Sequence, residues 1–326
     1  NKRKLNHYFI WSRMPNNKTD INNRGGFSTD MIGMNHNYPE ASYEERAEII
    51  KAHKDYTQGL LYFYKTDPRV PQELRDEIQA WGYPKDEYTE DNHWSPQLYI
   101  RESRRMTGDY VMTQAHCEGR ETVTDGIGMA AYTMDSHNCQ RLLVKKDGKY
   151  IVKNEGNVEI GGGLPYPISY RSIIPKEEEC KNLLVPVCLS ASHIAYGSIR
   201  MEPVFMVLAQ SAAIAAAEAI NTGSAQTVDI KKVQALLHEN PLLDDSFSEI
   251  LIDDSELDLS INNDWEVIKK QGGYGPTFLK SKVRNGSPVR FSPHMEHEGK
   301  YKVYTYYHMR KDISPAITYS CLLYTS

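Results

Sequence analysis

The sequence predicts an α/β (α+β) fold, incomplete at its amino terminus, followed by a truncated all-β sandwich. Three observations carry this. The apolar run at 183–189 is continuous, as in a strand buried on both faces. A polar loop containing Gly197 leads from it into an alanine-rich helix opened by Pro203, at a position where a missing N–H costs nothing. Beyond Phe247, helical periodicity gives way to short runs parted by turns. The expected partition is 1–245 for the mixed domain, 246–320 for the sandwich, and 321–326 as a translated sequencing-adapter tail.

In chain order, Ser42 to about Tyr64 reads as an amphipathic helix. Ile49, Ile50, His53, Tyr56, Leu60, Leu61 and Tyr64 recur at helical spacing, and Asp67-Pro-Arg-Val-Pro71 ends the run. A second short helix follows from Gln72 to Trp81. Leu98, Ile100, Tyr110, Val111 and Met112, around Arg101, Arg104 and Arg105, read as strand, turn, strand. Three arginines so close together are either an anion site or a solvated face, and at most one of them then points inward, because strand neighbours alternate faces. Gly126-Ile-Gly128 marks a turn, and Asp147-Gly148 turns a hairpin between 141–144 and 150–152. The helix from Pro203 reaches about Ile220, with Gly223 as its cap. Its alanines between 209 and 219 let another backbone or a flat ring system approach closely. Gln210, Ser211 and Glu218 within it, and a mean hydropathy of -0.59, point to a core helix and not a membrane span. A helix from Asp229 to about Asn240 and strands at 249–254, 289–292 and 301–307 complete the series.

Composition excludes several classes. At 326 residues, 40% hydrophobic and 25% charged, with a formal net charge of -5, the chain is neither collagen-like nor disordered. Lys and Arg total 38 against 43 Asp and Glu, so no basic excess points to nucleic acid. The 5 cysteines are dispersed without a CxxC pair, which leaves no legible disulfide framework, zinc motif or iron–sulfur motif. His116, Cys117, His137, Cys139 and His193 lack ligand spacing, so no metal is expected. The 22 tyrosines, against 7 Phe and 4 Trp, supply faces that are apolar with hydrogen-bonding tips; they suit polar organic ligands and sugars, or reflect a compositional habit. With no initiator Met and no apolar leader, the chain is expected to be a piece of a longer protein.

The run Ser190-Ala-Ser-His-Ile-Ala-Tyr-Gly-Ser-Ile-Arg-Met-Glu-Pro203, with Gln210-Ser-Ala-Ala213 beyond it, resembles the carboxy-terminal flavin-binding element of FAD-dependent oxidoreductases. Wider relatives of that family include heterodisulfide-reductase-like flavoproteins. Stretches at 20–23, 28–30, 98–106, 134–137 and 166–172 look like the same family, so the resemblance covers residues 20 to about 220. It implies an FAD-binding fold of the fumarate-reductase/glutathione-reductase kind, a small-molecule substrate whose C–H bond gives a hydride to FAD, and an electron acceptor. No GxGxxG follows a strand, and Gly161-Gly-Gly163 opens no helix, so the ADP-binding unit is expected upstream. The relatives' iron–sulfur centres do not carry over, since no cysteine cluster could ligate one. Residues from Ile250 to Tyr319 resemble a golvesin or xanthan-lyase carboxy-terminal domain, through Ile250-Leu-Ile-Asp-Asp254, Trp265, Val289-Arg-Phe-Ser-Pro293 and Gly299-Lys-Tyr-Lys-Val-Tyr304. That likeness implies an extracytoplasmic, carbohydrate-associated setting. It also frames the rival reading, a carbohydrate-associated binding protein in which the flavoprotein-like region is scaffold.

By the resemblance, Ser192, Ser198, Arg200, Met201, Glu202, Pro203 and Gln210 are expected to hold the cofactor. The helix end at 201–203 would stabilise negative charge on the flavin N1–C2=O edge. His193 either exchanges the proton that accompanies hydride transfer or steadies its loop. Arg200 either neutralises a reduced flavin or a cofactor phosphate, or makes a structural ion pair. Asp30, Arg101 and His137 are expected at the substrate, with local capping and turn roles as the alternative for Asp30, Asp135 and His137.

Overall fold

A computed structural model describes residues 5–24, 28–161, 165–239, 250–254, 257, 264–269, 277–284, 286–295 and 299–305. Its elements run β1 (Ile10–Arg13), β2 (Thr19–Asn22), α1 (Tyr43–Thr66), α2 (Gln72–Gln79), α3 (Gln114–Cys117) and β3 (Gly126–Ala130). They continue with β4 (Met134–Ser136), β5 (Gln140–Lys146), β6 (Lys149–Glu155), β7 (Val158–Ile160) and β8 (Tyr166–Ser169). α4 (His193–Ile199), α5 (Glu202–Thr222), α6 (Ile230–Glu239), β9 (Trp265–Lys269) and β10 (Thr277–Ser281) complete them. The chain divides into two compact units, one of residues 1–104 and 135–159, the other of 105–134 and 160–326.

In the first unit α1 starts where the sequence provides a capping box. Ser42 Oγ accepts the Glu45 N–H at 3.2 Å, and the Glu45 carboxylate accepts the Ser42 N–H at 2.8 Å. The helix stops at Thr66, before Pro68, as its sequence predicts. Leu5, Phe9, Tyr64, Val70, Leu74 and Ile78 form this unit's core. β5 and β6 pair as the expected hairpin, with Lys146 opposite Lys149 and both turn residues left-handed, Asp147 at φ 51° and Gly148 at φ 77°.

In the second unit β3 pairs antiparallel with β8, Ala130 opposite Tyr166. Gly126-Ile-Gly128, expected as a turn, is instead the start of β3. The missing side chain of Gly128 lets α5 lie on the strand. A Cβ on Gly128 would come within 2.9 Å of Val207 Cγ1 and 3.2 Å of Leu208 Cδ2. Ser211 Oγ donates to Ile127 O at 2.5 Å, and Gln234 Nε2 from α6 donates to Gly126 O at 2.8 Å. α5 spans 21 residues from Glu202, with Pro203 in its first turn and Gly223 closing it at φ 85°. Only one face is buried, through Val204, Leu208, Ser211, Ala212 and Ala215, while Met206 and Ile220 point outward. Among the described residues α5 alone is long and apolar enough to cross a membrane, which for a single helix packed on a core is weak support for a span.

Three expectations are corrected. The run at 183–189 is not a strand buried on both faces: Leu183 and Val187 are exposed and only Leu189 is fully buried. Pro186 removes a donor from the middle of the run, and two-sided pairing is confined to the residues just after it. There Ser190 N donates to Ser172 O at 2.8 Å, Met112 N donates to Ser190 O at 3.0 Å, and Ala191 bridges Met112 in parallel. Residues 97–112 are not strand, turn, strand, because isolated bonds such as Met106 N to Cys188 O stand in for a ladder. In the sandwich region, 250–254, 289–292 and 301–305 are not strands. Pro288 and Pro293 deprive the middle segment of donors on both flanks. The strands that form are β9 and β10, paired antiparallel with Trp265 opposite Ser281. Residues 306–307 of the last expected strand, Gly162, Gly163 and the 321–326 tail lie outside the described residues.

Candidate functional site

The first unit brings two of the expected substrate residues together. His137 Nδ1 lies 2.7 Å from Asp30 Oδ2, across 107 residues of sequence. Asn23 Nδ2 donates to the same oxygen at 2.7 Å, and the Asp30 N–H donates to Ser28 Oγ at 3.2 Å, so one carboxylate oxygen has two partners and the backbone that carries it is tied down. With Nδ1–H committed to Asp30, the lone pair of the imidazole lies on Nε2. The two side chains are 22% and 30% exposed, reachable by a small molecule yet fixed. Two residues before His137, Asp135 faces Arg101, with Oδ2 to Nη1 at 3.6 Å. Arg104 turns outward to Glu40, while Arg101 and Arg105 are both partly buried, so the expectation that at most one of the three points inward does not hold.

In the second unit the remaining site residues follow one another along α4 and α5. Ser192 is the cap of α4, its side chain accepting the Ala195 N–H at 3.3 Å. His193 therefore sits in the first helical turn and not in a loop. Burial and the nearby Arg105 charge push its imidazole below the ordinary histidine range, which keeps it neutral at pH 7. Of the three clustered arginines the sequence reading singled out Arg101, yet Arg105 is the one that the fold places beside α4. Its Nε donates to Ala191 O at 2.9 Å and its guanidinium lies over the Tyr196 ring at 5.4 Å. Nothing in the sequence separates it from its two neighbours, because its partners lie some 86 residues away. Ser198 is fully buried, accepting from Tyr166 Oη at 2.6 Å and donating to Tyr132 O at 2.5 Å. Arg200 is buried, and His193, Arg200 and Gln210 are each engaged with neighbouring groups.

The start of α5 fits an anionic ring edge in one respect. Met201 occupies the cap position and offers no side-chain acceptor, so the Glu202 N–H is not capped by it. The fit is narrower than the sequence implies, since Pro203 has no N–H and the Val204 N–H turns back to Met201 O at 2.9 Å. Among the described residues no group of three His, Cys, Asp or Glu is arranged to hold a metal ion.

A third cluster had no signal in the sequence. Thr113 caps α3, and His116 takes the place a glutamate has in an ordinary capping box. Its Nδ1 accepts the Thr113 N–H and the Thr113 hydroxyl, each at 2.9 Å. Its Nε2 therefore carries the proton, facing Tyr110 Oη at 2.8 Å and Glu121 Oε2 at 3.1 Å. Burial pulls this histidine below its ordinary 6.5, outweighing the Glu121 charge. The unfolded chain thus binds the proton first, and stability falls as the pH drops through 6.5 and levels off below the native value. We expect the urea midpoint to fall between pH ~7.5 and ~5, and His116→Gln, whose amide oxygen can still accept the Thr113 N–H, to flatten that fall. Equal slopes in the two proteins would contradict the assignment.

The family model for FAD dependent oxidoreductase matches residues 1–237. No curated protein and no solved structure matches the chain.

Proposed function

Because the chain belongs to the family of FAD-dependent oxidoreductases, and so is an enzyme with FAD as its cofactor, we propose that it oxidises a C–H bond of a polar organic substrate, with Asp30 and His137 taking the accompanying proton. The 2.7 Å bond between those two side chains carries the reading. As the substrate C–H bond breaks with its electron pair, the hydroxyl on the same carbon gives its proton to His137 Nε2 and the carbon–oxygen double bond forms. Asp30 orients the ring through Nδ1 and stabilises the imidazolium that results. Bound FAD supplies the two-electron acceptor. Ser192, Arg200, Met201, Glu202, Pro203 and Gln210 are the residues we assign to it, with Arg105 as a further cation; Ser198 supports them from inside the fold. Arg101 is assigned to the substrate, and His193 is the acid–base group of the second unit.

The motif at 190–203 supports a fold of the fumarate-reductase/glutathione-reductase kind with heterodisulfide-reductase-like relatives. The antiparallel pair around Trp265 supports a golvesin-like β module at 246–320, and with it a sugar-derived substrate. The test is a visible spectrum of the protein after addition of FAD, followed by anaerobic titration with polyols and sugar acids. A flavin band that bleaches during the titration is the expected result. A protein that stays colourless and takes up no added FAD would overturn the proposal.

A further inference from the structure

Around the acid–base pair the first unit holds two guanidinium groups with unmet donors. Arg141, on β5, donates from Nε to Asn154 Oδ1 at 3.1 Å and from Nη1 to Tyr56 Oη at 3.3 Å, while its Nη2 is buried and meets no acceptor among the described residues. Both partners are neutral, so among the described residues this half-buried cation faces no carboxylate. Arg101 has the same defect at Nη1, which lies 3.6 Å from Asp135, too far for a hydrogen bond. A buried charge is normally paired, and a buried donor left unmet keeps the full cost of its lost hydration. Bonded neighbours link both groups to the pair. Tyr56 Oη donates to Ser28 O at 2.8 Å, and Ser28 holds the Asp30 N–H; Asp135 stands two residues from His137. A third unmet guanidinium nitrogen, Arg75 Nε, lies on α2 beside Gln72, with no acid–base pair bonded to its neighbours. An orphaned donor alone therefore does not mark a site; here the orphans coincide with a poised base.

We propose that Arg141, with Arg101, forms an anion subsite that binds a carboxylate of the substrate beside the Asp30–His137 pair. The substrate class is then a hydroxy acid, a sugar acid among them, whose carboxylate accepts the unmet Nη1 and Nη2 donors while its hydroxyl faces His137. The planar fork of arginine matches a carboxylate through paired donors, which a lysine ammonium cannot reproduce. This inference rests on the first unit being the substrate-binding one.

Gluconate and sorbitol test it, since they differ only in a carboxylate against a hydroxymethyl group. Calorimetric titration of the full chain should give gluconate at least about tenfold tighter binding than sorbitol. Arg141→Gln should remove that margin, Arg141→Lys should restore part of it, and Arg101→Gln should weaken gluconate independently. Equal affinities for the two compounds, or an unchanged gluconate affinity in both glutamine variants, would sink the subsite. If Arg141→Gln does not fold, Arg101→Gln alone decides. A protein that takes up no FAD yet binds gluconate through Arg141 keeps the subsite and loses the enzyme reading. A flavin bleached equally by sorbitol and gluconate does the reverse.

Discussion

Replacing His137 by alanine should slow substrate oxidation by a factor on the order of 10²–10⁴, the usual worth of a positioned general base, while the flavin spectrum stays unchanged. The loss should be in kcat and in kcat/KM together, because proton acceptance matters only as the C–H bond breaks. Asp30→Asn should reproduce much of the defect, since an amide nitrogen facing Nδ1 would favour the wrong tautomer. His193→Ala provides the contrast. If it slows oxidation by that factor and His137→Ala does not, the base belongs to the second unit and the assignment to His137 is wrong.

Leu208→Ala is expected to be the most destabilising of the truncations along α5. The side chain is fully buried in the second unit's core and lies over the strand position that Gly128 leaves open. Truncation there should cost about 2–5 kcal/mol, the range for buried leucines whose cavities collapse only in part. Urea denaturation should show the loss as a lower midpoint with an unchanged slope. Met206→Ala, on the same helix but 73% exposed, should stay within about 0.5 kcal/mol. Comparable losses for both variants would mean that the outward face of α5 is covered in solution.

Local signals were readable and distant ones were not. Ser42, Glu45 and Pro68 announce α1, Asp147-Gly148 announces the β5–β6 turn, and Gly223 announces the end of α5, because each acts within one turn of its own chain. The run at 183–189 and the segment 97–112 misled for the opposite reason. Their apolar residues fit a strand, but whether a ladder forms depends on partners elsewhere, and those offer scattered bonds at Val185, Cys188 and Ser190 without a continuous ladder. At the site, residue chemistry made Asp30 and His137 candidates without revealing that they meet. Arg141 was read as one strand residue among others. What distinguishes it is that its hydrogen-bond partners among the described residues are neutral, a property of its surroundings that one hairpin's sequence does not encode.

The two capped helices also differ in how they would respond to ionic strength. At α1 the box is closed by a carboxylate, so part of its strength is attraction between Glu45 and a positively polarised helix end, which added salt screens. At α3 the acceptor is an uncharged imidazole, whose bond to the Thr113 N–H has no net charge for ions to screen. Raising the salt concentration at neutral pH should loosen the first helix start and leave the second as it is.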